Sequence, residues 1–204
     1  MKIKICGLTR PQDVALACEL GADVCGFILA PSPRQVSWET LLELQSSVPT
    51  AVLTVAVMVN PSQPEVDRAL ALVDRVQLHG QEPPEFCRRY GRRAWKALRV
   101  RQPADLQGLE AYSGVGAFLL DSFMEGVAGG TGQTFPWSYL NGCRFARTTF
   151  LAGGLDPGNV ADAFRVPSIQ GLDVASGVEA APGQKDPAKM REFFAAFKGA
   201  AVEQ

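Results

Sequence analysis

Short runs rich in β-branched and other apolar residues alternate with longer amphipathic stretches from one end of the chain to the other. Eight such runs stand out, at residues 3–6, 24–29, 52–59, 76–78, 94–100, 117–120, 149–152 and 171–174. Each has the length and composition of a strand. Between them the spacing predicts helices. Residues 11–20 open on Pro11 and stop at Gly21, the residue types that favour a helix start and a helix end. Ser37 is placed to cap a helix beginning at Trp38, with its apolar face in Thr40-Leu41-Leu42. Residues 64–72, 83–90, 104–112, 157–164 and 187–197 follow the same logic, while the segment after Phe135 carries the weakest helical pattern.

Eight strand–helix units in 204 residues leave about 25 residues per unit, at the lower end of what a (β/α)₈ barrel requires. An open, doubly wound sheet usually has fewer strands. No composition break or linker divides the chain. The expected architecture is therefore α/β, a single-domain (β/α)₈ TIM barrel over residues 1–204. Its longest irregular stretch is the glycine-rich segment 122–134, and a loop of that length in a compact domain is more often functional than accidental.

Side chains alternate along a strand, so parity says which residues face the barrel axis. Ile3 and Ile5 suit the helix side, which turns Lys4 and Cys6 inward. The same counting turns Gln77, His79, Asp121 and Asp173 inward, near the carboxyl ends of their strands. Barrel enzymes carry their sites at that end.

Composition narrows the picture. Lys plus Arg total 20 and Asp plus Glu 21, which gives no bulk charge for binding a polyanion, so no nucleic-acid partner is expected. An anion site would have to be built from particular groups. The five cysteines fit neither a disulfide framework nor a zinc motif, and reduced thiols in the cytoplasm are the simplest reading. The amino terminus lacks the apolar stretch of a signal peptide, and no run approaches the ~20 apolar residues that span a membrane.

Several inward groups could carry chemistry. Cys6 ends a strand and Gly7 follows, leaving space for a ligand near the backbone. A thiolate there could take a proton from carbon, although a free cysteine is more commonly a small buried hydrophobe. Lys4, two residues earlier on the same face, would supply positive charge or pair with Asp173 across adjacent strands. Asp121 closes an apolar run, where a carboxyl group can hold a proton and act as a general acid, or can simply cap a loop. Gly153-Gly154 after the seventh strand and Ser176-Gly177 after the eighth suit the phosphate site of barrels, or are two tight turns. The run 129–134 lacks the Gly-Lys-Ser/Thr ending of a P-loop and fits a lid better. Arg34 could clamp a carboxylate or lie solvated in its loop. His79, the only histidine, suits a packed or hydrogen-bonded role better than that of a base.

Taken together, these residues resemble the phosphoribosylanthranilate isomerase family. Lys4-Ile5-Cys6-Gly7-Leu8-Thr9 is similar to its opening strand, and Asp173-Val174-Ala175-Ser176-Gly177-Val178-Glu179 to its eighth strand and loop. Between them, in order, lie Ser32-Pro33-Arg34, Val57-Met58-Val59-Asn60, Gln77-Leu78-His79-Gly80, Leu119-Leu120-Asp121, Gly129-Gly130-Thr131-Gly132 with Phe135 and Trp137, and Ala152-Gly153-Gly154-Leu155 with Asn159-Val160. Two positions depart from the family pattern: Pro136 stands where Asp or Asn is usual, and Ala175 where a second small polar residue is often found.

The resemblance implies an Amadori rearrangement of N-(5-phosphoribosyl)anthranilate without metal or cofactor, on a small phosphorylated substrate, by a monomer or a homodimer. It implies Asp121 as general acid and Cys6 as general base, with Arg34, Lys4, His79 and Asp173 lining the substrate site. Gly153, Gly154, Ser176 and Gly177 would hold the phosphate. Two related barrels fit less well: a histidine-pathway isomerase pairs two aspartates, and indole-glycerol-phosphate synthase relies on catalytic lysines and a longer amino terminus. A non-catalytic phosphate sensor should have lost Cys6 or Asp121, and both are present.

Overall fold

The computed structural model describes residues 1–122 and 134–202. Eight parallel strands close into a barrel in chain order: β1 (Lys2–Cys6), β2 (Val24–Ile28), β3 (Leu53–Met58), β4 (Arg75–Leu78), β5 (Ala94–Val100), β6 (Ala117–Ser122), β7 (Thr148–Ala152) and β8 (Gly171–Val174). The barrel closes where β1 pairs with β8, in the register Lys4↔Asp173 and Ile5↔Val174. All eight expected strands are present, each within two residues of its expected bounds.

Two apolar layers hold the barrel. The outer one lies between sheet and helices and contains Ile3 and Ile5, the face assigned to them by parity. The inner one fills the lower barrel with Val24, Val55, Trp95, Ala97, Ala117, Leu119, Phe150 and Ala152. Trp95 and Phe150 stack there with ring centroids 5.0 Å apart. Phe150 is also why position 171 is glycine: a Cβ at Gly171 would lie 2.3 Å from the Phe150 ring.

The helices depart further from expectation than the strands. α1 (Pro11–Leu20) ends at Gly21, whose φ of 100° is the left-handed stop that glycine permits. α2 (Trp38–Ser46) starts where expected, with the Thr40 N–H donating to Ser37 Oγ at 3.1 Å. α3 (Gln63–Leu70) begins one residue early because Ser62 and Glu65 form a capping box. α4 (Pro84–Arg88) is shorter than expected and is followed by a 3₁₀ turn at Gly91–Arg93.

The helix expected at 104–112 is instead two 3₁₀ turns, Pro103–Leu106 and Leu109–Tyr112, parted at Gln107 and Gly108. The weak segment after Phe135 is likewise a 3₁₀ turn, Trp137–Leu140. The helix expected at 157–164 starts only at α5 (Val160–Phe164), because Asp156 Oδ1 accepts from the N–H groups of Gly158 and Asn159 and holds them in a turn. α6 (Pro187–Val202) runs longer than expected. A small antiparallel hairpin, β9 (Glu179–Ala181) with β10 (Gln184–Lys185), has no counterpart in the strand pattern. The expected lid at 129–133 lies outside the described residues. Among the described residues no helix is long and apolar enough to cross a membrane.

One buried ion pair fixes the loop that carries His79. Lys96 Nζ of β5 donates to Glu82 Oε2 at 2.6 Å and to the Gly80 carbonyl at 2.7 Å. Glu82 in turn accepts from the backbone N–H groups of Asn60 and Gly80. Removing one partner of a buried pair strands the other charge. Lys96→Met should therefore lower unfolding stability by about 3–5 kcal/mol. In a thermal melt this is a fall of about 2–4 °C per kcal/mol. A loss below 1 kcal/mol in urea titration would show that water or another cation takes over the Glu82 charge.

Candidate active site

Residues paired in a parallel ladder face the same side, so the register identifies the groups at the barrel mouth. Lys4 pairs Asp173, Cys6 pairs Gly26, Val57 pairs Gln77, and Arg99 pairs Asp121. All point inward, above the apolar plug. The cavity there is lined by Cys6, Arg34, Gln77, His79, Arg99, Asp121, Ser122, Asp173 and Ser176, with Ile28, Pro31, Val57 and Val59 forming an apolar wall. Cys6 and Asp121, from β1 and β6, thus reach one cavity from well-separated staves.

Below Cys6 lies an ion pair. Lys4, fully buried, donates to Asp173 Oδ1 at 2.8 Å. Burial works against its charge, yet Asp173 and the Cys6 sulfur more than offset this, so the pKa of Lys4 is raised and it stays charged. Burial raises the pKa of the Cys6 thiol, with the Lys4 charge opposing it. The resting group is accordingly a thiol whose thiolate, once formed, is a strong base. Gly26 makes the room: a Cβ there would come within 3.1 Å of both Cys6 Sγ and Lys4 Nζ. Lys4 itself does not line the cavity, whereas Asp173 does.

The second charged cluster was not legible as a site. Arg34 reaches Glu179 through Nε at 2.9 Å and Nη2 at 2.7 Å. Its stem lies against Gly7, where a Cβ would be 2.7 Å from Arg34 Cδ. The space expected beside Gly7 for a ligand is therefore taken by Arg34. Lys185, fully buried, donates to Glu179 Oε1 at 3.0 Å and to the Ala175 carbonyl at 2.9 Å. Burial raises the Glu179 pKa, but the Arg34 bonds and the Lys185 charge outweigh it, so it is lowered overall.

On the far side, Asp121 is half-buried, with His79 Nε2 3.3 Å from its Oδ2. That contact is off the line of a hydrogen bond, and among the described residues His79 Nε2 is a buried nitrogen with no hydrogen-bond partner. Gln77 Nε2 sits 3.2 Å from His79 Nδ1. As placed, the amide donates to Nδ1, which leaves the imidazole proton on Nε2, facing Asp121. Gln77 Oε1 is also buried with no hydrogen-bond partner among the described residues. Arg99, exposed at the mouth beside Asp121, is a further cation that strand parity could have found.

Gly153 and Gly154 follow β7 with φ of 83° and 67°, and both line the cavity with Ser176. At Gly153 a Cβ would meet Ser122 Oγ at 2.1 Å. Gly177 is not a lining residue. A Cβ on it would sit 1.9 Å from the Leu155 carbonyl oxygen, so its glycine lets the loops after β7 and β8 pack together. Among the described residues no group of three or more His, Cys, Asp or Glu is arranged to hold a metal ion.

Comparison with known proteins agrees with this geometry. A family model described as N-(5'phosphoribosyl)anthranilate (PRA) isomerase matches residues 3–196. A curated N-(5'-phosphoribosyl)anthranilate isomerase from Magnetococcus marinus is 43% identical over 203 residues, covering 98% of this chain and 96% of its own. The crystal structure of phosphoribosyl anthranilate isomerase from Thermotoga maritima is similar with a TM-score of 0.90 and 36% identity, over 98% of this chain and 99% of that one. A phosphoribosyl anthranilate isomerase in complex with reduced 1-(o-carboxyphenylamino)-1-deoxyribulose 5-phosphate is similar with a TM-score of 0.86 and 35% identity, over 98% and 99%.

The Glu179 cluster sets a pH dependence. A carboxylate whose folded pKa is lowered adds stability above its unfolded value, near 4.3, and that stability is lost as pH falls through the folded value. Glu179→Gln should therefore be less stable than the parent at pH 7, with the gap narrowing below about pH 4. Urea unfolding from pH 7 down to pH 3 tests this, and a gap that stays constant over that range contradicts it.

Proposed function

The chain belongs to the N-(5'-phosphoribosyl)anthranilate isomerase family, and from that premise we propose that Asp121 is its general acid and Cys6 its general base. The protein catalyses the Amadori rearrangement of N-(5-phosphoribosyl)anthranilate to 1-(2-carboxyphenylamino)-1-deoxyribulose 5-phosphate, a step of tryptophan biosynthesis. The observation that carries the assignment of roles is the convergence of Cys6 and Asp121 on one cavity from β1 and β6.

The chemistry follows from those positions. Asp121, protonated, gives its proton to the furanose ring oxygen. The ring C–O bond breaks while the anthranilate nitrogen forms a double bond to C1. The Cys6 thiolate then removes the proton from C2, and the electron pair flows into C1=C2 and back to nitrogen. The resulting enolamine tautomerises to the ketone. The nitrogen is the electron sink, so the sequence closes on the substrate's own atoms.

The remaining groups hold the two ends. Arg34 uses Nε and Nη2 on Glu179, which leaves Nη1 for the anthranilate carboxylate. Ile28, Pro31, Val57 and Val59 suit the aromatic ring. Gly153, Gly154 and Ser176 face the phosphate, and Gly177 keeps their loops in contact. Asp173 offers Oδ2 to a sugar hydroxyl while Oδ1 holds Lys4. His79 steadies the Asp121 carboxylate left after proton transfer. Binding both ends fixes the sugar between acid and base. All five cysteines are free, which favours a reducing compartment, and we place the protein in the cytoplasm.

Cys6→Ser and Asp121→Asn should each lower kcat by about 10²–10⁴-fold. The decay of substrate fluorescence reads this directly, and near-parental turnover in both folded variants overturns the assignment. Arg34→Ala should act mainly on KM. Unchanged KM and kcat in that variant would remove Arg34 from the carboxylate site.

A further inference from the structure

The reaction scheme gives Lys185 of the hairpin β9–β10 no task, yet it is buried on Glu179, whose other partner Arg34 lies against Gly7, the residue that follows the base. Lys185 is 1% exposed. Its ammonium is fixed by Ala175 and Glu179, and its backbone by the Asp13 carboxylate at 3.1 Å and Arg10 at 3.0 Å. Arg34 alone already engages both Glu179 oxygens. A second buried cation on the same carboxylate is therefore unexplained by pairing.

Counting charge gives the explanation. Around Cys6 stand Lys4, Arg34 and Lys185 against Asp173 and Glu179. Arg10 and Asp13 neutralise each other next to the Lys185 backbone. Asp121 and His79 face Asp173 from across the cavity. The cluster around Cys6 is thus one positive charge in excess while the sulfur is a thiol, and neutral once it is a thiolate. The coupling is mutual: burial and Arg34 lower the Lys185 pKa overall, and Glu179 and a Cys6 thiolate oppose that lowering. Where water is scarce such an excess is weakly screened.

We propose that Lys185 is a positioning residue for the reaction, holding the unbalanced positive charge that stabilises the Cys6 thiolate. This rests on Cys6 being the base. Glu179 then has two tasks, orienting Arg34 toward the substrate and keeping Lys185 in place.

The test is the pH dependence of Cys6 alkylation by iodoacetamide, localised by peptide fragmentation, alongside the pH profile of kcat/KM. Lys185→Met should move the Cys6 midpoint and the rising limb of the profile up by about 1 pH unit or more. Glu179→Gln, which removes a negative charge, should move both down. A merely structural role would disturb both variants in the same direction, so opposite shifts support the proposal. An unmoved midpoint in folded Lys185→Met, or shifts of one sign, overturns it. If Lys185→Met does not fold, Lys185→Gln decides in its place: a higher midpoint supports the proposal and an equal or lower one defeats it. Retained turnover in Cys6→Ser defeats the base assignment and this proposal together. An unmoved midpoint with an inactive Cys6→Ser defeats this proposal only.

Discussion

The seam between the first and last strands is the constraint on which the site depends. A parallel barrel is complete only when β1 finds β8 across most of the chain, and here the two meet at Lys4 and Asp173. That contact is an ion pair 2.8 Å long, with Lys4 fully buried and Asp173 reaching the cavity. Removing either partner leaves a charge in the barrel interior, so the pair is worth most as a condition on register. A slip of one residue would turn Cys6 to the helix side and bury Ile5 among charges. Closure and placement of Cys6 are thus the same event.

Above the seam the interior changes character within two residues. The lower barrel is filled by Trp95, Phe150 and small aliphatic side chains. The upper end holds ion pairs, Lys4 with Asp173 inside the barrel and Glu179 with both Arg34 and Lys185 at its mouth. The apolar plug keeps water out from below, so these charges act on one another at low dielectric. The loops after β7 and β8 lie against each other through Gly177 and Leu155. They are therefore fixed relative to the strand ends they follow.

The strands were legible because period-two alternation and β-branched composition are local signals. Parity alone placed Lys4, Cys6, Gln77, His79, Asp121 and Asp173 inward. The helices were less legible, since side-chain bonds to backbone compete with helix formation over only a few residues. Asp156 delayed α5, and Gly108 lies at the break between two 3₁₀ turns where one helix was expected. The hairpin at Glu179 and Lys185 was invisible because it depends on partners 145 and 172 residues away, Arg34 and Asp13. Lys4 and Gly177 were assigned to substrate. The structure sets Lys4, fully buried, under Cys6 and Gly177 against the Leu155 carbonyl between two loops. No local pattern distinguishes a charged residue that touches a ligand from one that holds its neighbour.

The two sides of the cavity differ in wetness, and this matches the opposite demands on the proposed acid, Asp121, and the proposed base, Cys6. Asp121 keeps 22% of its side chain exposed, and Cys6 only 6%. An acid that gives up its proton in each cycle must be recharged, which contact with solvent makes fast. A thiolate gains basicity when stripped of water, at the cost of becoming rare. Burial alone would make it too rare to be useful. A lysine in the same position would be repelled by Lys4. Sulfur, surrounded by more cations than anions, is the group whose charged form this pocket can hold.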